Sequence, residues 1–227
     1  MTAVIDKVAV VIPAHDEESL LPACLDAVRL AIECVDVPVE VVVALDDCRD
    51  ASASVVAVRP WAATVELSAR NVGAARAAAT AYALGVTARS VAERIWIATT
   101  DADTVVPAHW LASQLALADA GYDLVIGTVD VDDWSAHPPH TGPRWRATYT
   151  PADHHPHVHG ANLGVRASAY LEVGGWPTVA VDEDVSLVAA LTGRRIARSA
   201  AHPVITSART DARARGGFGD TLVALAG

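Results

Sequence analysis

Arg94-Ile95-Trp96-Ile97-Ala98-Thr99-Thr100-Asp101-Ala102-Asp103 is a short apolar run that stops at two carboxylates one residue apart. Such a run, bounded by polar residues, reads as a buried strand leaving a sheet. Two aspartates at i and i+2 on an extended or turning chain can bring their oxygens near one divalent cation, and the small Ala102 leaves room for a ligand to approach the backbone. Hard oxygen donors of this kind suit Mg²⁺ or Mn²⁺, which commonly bridge carboxylates to phosphates. A polar turn capping a helix that begins near Pro107 explains the same residues without any ligand. The chain on either side bears on that choice.

Upstream, Val8-Ala9-Val10-Val11-Ile12 is a β-branched run ended by Pro13, as expected of a central parallel strand buried on both faces. Pro13-Ala14-His15-Asp16-Glu17-Glu18-Ser19 then leads into a helix whose apolar face is Leu20, Leu21, Leu25, Val28 and Ile32. A second strand, 39–45, ends in Asp46-Asp47-Cys48-Arg49-Asp50 before a small-residue helix over 51–58, repeating the pattern of strand, acidic turn and helix. Carboxylates there can take hydrogen bonds from a nucleobase or ribose, or can cap the helix. Val65-Glu66-Leu67 is a short third strand, followed by Asn71-Val72-Gly73-Ala74-Ala75-Arg76 and an alanine-rich helix to Leu84. Gly73 and the alanines permit a close backbone approach, and Arg70 or Arg76 can face a phosphate.

Downstream, 107–120 reads as a helix and 123–129 as a strand, so the alternation predicts a mostly parallel sheet with helices on both sides. From about Asp130 to Pro156 the periodicity disappears; the segment is rich in Pro, His, Trp and Asp and reads as a long functional loop. His137, His140, His154, His155, His157 and His159 form a cluster in sequence that matches no tight ligand spacing, so it offers either a transition-metal site or a polar wall. Gly174-Gly175-Trp176 reads as a sharp reversal, with Trp176 as a buried plug or a sugar platform. Val181-Asp182-Glu183-Asp184 opens a helix to Leu191, where a carboxylate can complement the helix dipole or act as a general base. Near the end, Arg209, Arg213 and Arg215 beside glycines suggest either a flap over a diphosphate or an ordinary solvated tail, ahead of a short helix around Leu222 to Leu225.

The 227 residues, with 52% apolar and 19% charged side chains, suit one well-buried domain. Seventeen Lys and Arg against 27 Asp and Glu give a formal charge of −10, which argues against a nucleic-acid partner. Cys24, Cys34 and Cys48 have neither the number nor the spacing of a disulfide framework or a thiolate zinc site. No run approaches the roughly 20 apolar residues of a membrane span, and the N-terminus lacks a signal-peptide core, so a soluble, cytoplasmic protein is expected.

Taken in order, Val11 to Glu18, Asp46-Asp47, Asn71 to Arg76, Asp101-Ala102-Asp103, Gly160-Ala161-Asn162-Leu163-Gly164-Val165-Arg166, Gly174-Gly175-Trp176 and Glu183-Asp184 closely resemble a family 2 glycosyltransferase of the GT-A fold. The resemblance runs from about Val8 to Leu191. It implies a Rossmann-like three-layer α/β/α sandwich in which about 1–129 binds a nucleotide-diphosphate sugar, UDP- or GDP-linked, and about 130–227 binds the acceptor. Pro13, Ala14, His15 and Glu17 would form the first nucleotide-binding turn, Asp46 or Asp47 would lie near the base, and Arg76, Asp101 and Ala102 along the nucleotide. Asp103, with Asp101, would ligate Mn²⁺ or Mg²⁺, His202 completing the metal shell. Asp184 would be the acceptor-side base of an inverting transfer. His159, Gly160, Asn162, Trp176 and Glu183 would line the acceptor site, and Arg209 and Arg213 the diphosphate flap. Asp16 departs from the family's more usual Asn. The Gln-x-x-Arg-Trp motif of processive synthases is absent, so a single transfer to a small-molecule, glycan or other soluble acceptor is expected, and a homodimer remains open as its assembly.

Three rivals stand beside this reading. Asp101-Ala102-Asp103-Thr104-Val105 also looks like the nucleophile loop of haloacid-dehalogenase phosphatases, although that loop normally follows the first strand. A non-catalytic nucleotide-sugar-binding protein on the same scaffold and a zinc hydrolase built on the histidines are the others.

Overall fold

The structure, a computed structural model, describes residues 3–211 and 217–227. Three strand-helix units come first: β1 (Lys7–Ala14), α1 (Leu21–Ile32), β2 (Val39–Asp46), α2 (Ser52–Ala57), β3 (Ala62–Leu67) and α3 (Val72–Leu84). A single turn, α4 (Arg89–Ala92), leads into β4 (Ile95–Thr99), the two-residue β5 (Thr104–Val105), α5 (Trp110–Asp119) and β6 (Leu124–Asp130). Then follow α6 (Thr141–Thr148), a 3-10 turn at Gly160–Asn162, β7 (Leu163–Arg166), α7 (Ala167–Glu172), α8 (Glu183–Ala190), β8 (Ile196–Thr206) and α9 (Phe218–Ala226).

Among the described residues the strands form one eight-stranded sheet in the order β3-β2-β1-β4-β7-β6-β8-β5. β1 pairs in parallel with β2 and β4, β2 with β3 and β6 with β8, whereas β7 runs antiparallel to both β4 and β6, and β5 to β8. The period of two sorts the strands between two buried faces. Val8, Val10 and Ile12 join the core formed with α1 and α5, while Ala9 and Val11 join the core formed with α3, α7 and α8. A fully buried Val or Ile contributes about 1.5–3 kcal/mol, so these layers are the main stabilising mass. Small residues set the distance of α3: Ala75 and Ala79 are buried against the sheet, and a Cβ on Gly73 would fall 2.3 Å from the Pro177 carbonyl. Gly73 thus admits the backbone that precedes α8.

The parallel strands end along one edge, where open α/β sheets hold their ligands. The turns after β1, β2 and β4 share that edge. Reversed β7 matters here, because its pairing of Leu163 with Thr99 sets the 160–162 turn beside the exit of β4.

Two expectations need correction. The stretch from Asp130 to Pro156 is not a continuous loop: it contains α6, whose Gly142 and Pro143 hide the helical pattern although proline is tolerated in a first turn. Packing fixes it, with Trp145 buried against Tyr149 and Phe218. Nor do the two acidic residues cap the following helix, since α5 starts at Trp110 behind His109 with no side-chain cap. No helix among the described residues is long and apolar enough to cross a membrane.

Candidate functional site

A cavity of about 700 Å³ lies along the carboxyl edge, bounded by the turns after β1, β2 and β4, the start of α3, the 157–161 segment, the start of α8, Arg209 and α9. Four of the five described non-glycine residues with left-handed backbone, Asp16, Asp47, Arg70 and Asp182, belong to turns around it. Each such conformation costs of the order of 1 kcal/mol or more, and such clustering is typical of functional turns.

One end is polar and charged. His15 is pinned between the Asp46 carbonyl (Nδ1, 2.6 Å) and Arg70 (Nε2 to Nη2, 3.2 Å). The Asp46 carboxylate is spent on its own scaffold: Oδ1 accepts from the Ala69 and Arg70 amides at 2.7 and 2.8 Å, and Oδ2 from Asn71 at 2.8 Å. It thereby shapes the turn that carries Arg70 and starts α3, where the Asn71 side chain accepts from Ala74 N. Asp47 points away from the cavity toward Arg49 and Arg70. Asp16, Cys48 and Asp50 lie within 4.8 Å of one another, but they brace the two turns: Asp16 accepts from Arg49 N and Asp50 N, Asp50 from Ser52 N and Glu18 N, and the Cys48 thiol donates to the Ala14 carbonyl.

Asp101, Ala102 and Asp103 line the same end. Arg209 reaches in from beyond β8, donates from Nη1 to Glu17 at 2.7 Å and lies 3.0 Å from Asp103 through Nη2, which also contacts Glu17. Burial, the neighbouring Asp101 charge and Glu17 push the Asp103 carboxyl up to about 7 against the pull of Arg209. Asp101, paired with Arg76, and Asp103 and Glu17, which share Arg209, bring hard oxygen donors to this end. The three do not bring one ligand atom each within 4.8 Å of one another; Asp101 and Asp103 are of the donor type that suits Mg²⁺ or Mn²⁺ when a diphosphate and water complete the shell.

Arg76 joins this end to the other. Its guanidinium, 2% exposed, donates to Thr99 Oγ1 (3.2 Å), to Asp101 and to Glu183. The Trp176 ring covers it with the centroid 5.3 Å away, and the Trp176 indole donates to Thr80. A Cβ on Gly160 would fall 2.3 Å from Arg76 Nη2, so only glycine admits the guanidinium there. Three of the Arg76 donors are therefore committed to a brace between the β4 exit and α8. Trp176 takes the plug role rather than the platform role; it does not line the cavity.

The next residue of α8, Asp184, faces the cavity with Oδ2 accepting from Gly160 N at 2.6 Å and Oδ1 from Val185 N at 2.8 Å. Beside it His159 is half-buried; that burial holds its imidazole down to about 4 against the pull of Asp184, with His157 and His155 adding to the depression. The imidazole is therefore neutral near pH 7, and its Nε2 meets the Tyr149 hydroxyl at 3.1 Å. Tyr149 also accepts from Val129 N and stacks on Trp145 (4.5 Å between centroids) and on His157 (4.0 Å).

Some expected residues go elsewhere. His202 lies on β8 beside a separate small hollow with Trp110 and Gln114, away from Asp101 and Asp103, so it does not complete their metal shell. Asn162 is a buried strut rather than an acceptor ligand: Oδ1 accepts from the Trp110 indole, and Nδ2 donates to the Thr128 and His202 carbonyls. Arg213 lies outside the described residues. The histidines do not converge on a metal; His137 and His155 bond the Ala208 and Ile126 carbonyls, and among the described residues no histidine belongs to a group of three ligand atoms close enough for an ion. Sequence reasoning missed Trp145, Tyr149 and Phe218, all of which line the cavity. The available signal was the concentration of aromatic residues in the aperiodic segment.

Comparison with known proteins now has a geometry to meet. The family model described as glycosyl transferase family 2 matches residues 9–172. Among curated proteins no match is found. The crystal structure of S. aureus TarS 1–349 in complex with UDP-GlcNAc is similar with a TM-score of 0.67 and 16% identity over 93% of this chain and 61% of that one. Mannosyltransferase PcManGT from Pyrobaculum calidifontis, in complex with GDP-Man and Mn²⁺, gives 0.56 and 21% over 85% and 56%. A mycobacterial protein gives 0.60 and 17% over 96% and 73%. At these identities the likeness is one of fold, and the chain spans about three fifths of the TarS and PcManGT chains, at 61% and 56%.

Proposed function

The chain belongs to glycosyl transferase family 2, and from that premise we propose that it is a metal-dependent glycosyltransferase moving a sugar from a UDP- or GDP-linked donor to a hydroxyl of a small or soluble acceptor, with inversion. The reading rests above all on one observation: Asp101 and Asp103 share a cavity with Asp184, and Arg76 braces the elements that carry them. One domain does both tasks in this account, with about 1–129 holding the donor and about 130–227 the acceptor. Free Cys24, Cys34 and Cys48 suit a reducing cytoplasm.

Asp103 and Asp101 would hold Mn²⁺ or Mg²⁺. Such a cation supplies Lewis-acid neutralisation of the charge that builds on the leaving diphosphate. His15 and Arg70 border the donor pocket, and Pro13 and Ala14 give it a backbone wall. Arg209 adds a second positive charge where the diphosphate departs, an electrostatic contribution of the kind that commonly dominates a barrier. Asp184, oriented by the Gly160 amide, takes the proton of the acceptor hydroxyl as its oxygen bonds to the anomeric carbon. The bond from that carbon to the diphosphate breaks on the opposite face, and its electron pair leaves with the nucleoside diphosphate.

The test is release of UDP or GDP from a panel of nucleotide sugars with Mn²⁺ and mixed glycoside acceptors, the product anomer being read by NMR. Metal-dependent release with inverted product, abolished in Asp184→Asn, is expected. Tight donor binding with no release by the wild type under any acceptor would instead favour a binding protein on this scaffold.

A further inference from the structure

The two ends of the cavity differ in which charges they present. Arg70, Arg76 and Arg209 are the guanidinium groups among its described lining residues, and all three belong to the donor end or the brace. The described lining on the Asp184 side includes Trp145, Tyr149, Val158, Val185, Phe218 and Leu225, the imidazoles of His157 and His159, and the hydroxyl residues Thr148 and Thr221. Burial lowers both imidazoles, so neither supplies a cation near neutral pH. Nearby arginines are turned to other work. Arg198 donates from Nη1 to the His155 and His157 carbonyls, Arg144 to the Leu225 carbonyl, and Arg146 lies over the Trp134 ring. The carboxylates on this side are Asp182, Glu183 and Asp184, of which Glu183 is paired with Arg76.

The apolar wall is fixed in place. Trp145, Tyr149 and His157 form a continuous stack, and Phe218 meets both Trp145 and His159 edge-on at 6.1 and 6.0 Å. Two further bonds, from Arg144 Nη1 and His140 Nε2 to the Leu225 and Ala226 carbonyls, tie α9 to α6. Across the cavity Val185 is 45% exposed at the start of α8, next to Asp184. A substrate group beside Asp184 would thus meet apolar surface, and the nearest guanidinium among the described residues, Arg76, is already committed to Asp101 and Glu183. An anionic acceptor would meet the like charges of Asp182 and Asp184, a cost to its binding. An uncharged one with an apolar group would gain by covering this wall.

Resting on the transferase reading, we infer that the acceptor is an uncharged hydroxyl compound carrying an aryl or alkyl group beside the reacting hydroxyl, carboxylated or phosphorylated acceptors being disfavoured by the Asp182 and Asp184 carboxylates.

The experiment titrates phenyl, methyl and carboxylate-bearing (uronic) glycosides of several common hexoses into the protein saturated with its nucleoside diphosphate and Mn²⁺. At least one phenyl glycoside is expected to bind about tenfold more tightly than its methyl counterpart, and the uronic form of the same sugar more weakly than either. Phe218→Ala is expected to bring the phenyl-to-methyl ratio toward one. Nucleotide binding in the same cell reports whether the variant has folded, and Val185→Asn tests the opposite wall if it has not. Equal affinity for phenyl and methyl glycosides, no binding of any phenyl glycoside, or preference for the uronic series would overturn the inference. Loss of nucleotide binding by the wild type would instead strike the transferase reading beneath it.

Discussion

The end of the cavity proposed for the donor and the end proposed for the acceptor are built on opposite principles. At the first, charged side chains already neutralise one another: Arg209 sits on Glu17 and Asp103, Arg70 touches His15 and Asp47, and Asp46 is consumed by three backbone amides. At the second, rings and neutral imidazoles surround Asp184, which is held by the Gly160 amide and its own helix. The contrast teaches where binding strength and selectivity reside. On the proposed reading, a diphosphate and a cation exchange with charges already present at one end, whereas the other end selects by shape and by its apolar wall. Arg76 is the single buried element bonded to both, through Asp101 and Glu183.

That division can be broken by four kinds of variant or condition. The largest effect is expected from Asp184→Asn, which removes the base while leaving the donor end intact; kcat should fall about 10²- to 10⁴-fold with nucleotide affinity unchanged in calorimetry. Arg76→Met strikes the brace. Taking the buried guanidinium from Glu183 and the 34%-exposed Asp101 should cost up to about 3 kcal/mol, the low end for breaking a buried pair, read as a lowered denaturant midpoint, with both nucleotide and acceptor binding impaired. Gly160→Ala drives a methyl group into the same guanidinium and should cost about 1–3 kcal/mol, visible as a lowered Tm.

The mildest test is acidification. His159 is held near 4 in the folded protein by its burial, against an unfolded value near 6.5, so the unfolded chain takes its proton first as pH falls. Stability should be full above about pH 6.5 and decline as the pH drops toward 4, by about 2 kcal/mol at pH 5. Asp184 opposes that decline, while His157 and His155 reinforce it. His159→Gln should flatten the profile between pH 6.5 and 4 in denaturant titrations, and an unchanged slope would show that other groups set it.

Much of the donor end was legible in the sequence because there the chemistry sits in turns directly after strands of clear period. Val8 to Ile12, Val39 to Leu45 and Ile95 to Ala98 announce buried strands, and the acidic turns at their carboxyl ends follow in order. The acceptor end was less legible, since its residues meet only through tertiary contact. α6 carries Gly142 and Pro143 and is held by Trp145 packing on Phe218, more than seventy residues away. β7 reverses direction without any local signal, yet it determines that Gly160 lies beside Arg76. Side-chain identity also misled where geometry decides. His202 and Asn162 have ligand-like chemistry, but neither lines the cavity: Asn162 is spent on the Trp110 indole and two carbonyls, His202 borders a separate hollow, and the Trp176 ring covers the Arg76 guanidinium.

Calorimetric titration of UDP and GDP, with and without Mn²⁺, into the wild type and Asp103→Ala tests the central claim most directly. Binding of one nucleotide that strengthens at least tenfold with Mn²⁺, and loses that gain in Asp103→Ala while the variant stays folded, is the predicted result. Equal affinity with and without the cation, or an Asp103→Ala protein that keeps the full metal effect, would contradict the assignment of the two aspartates to a metal-held donor diphosphate.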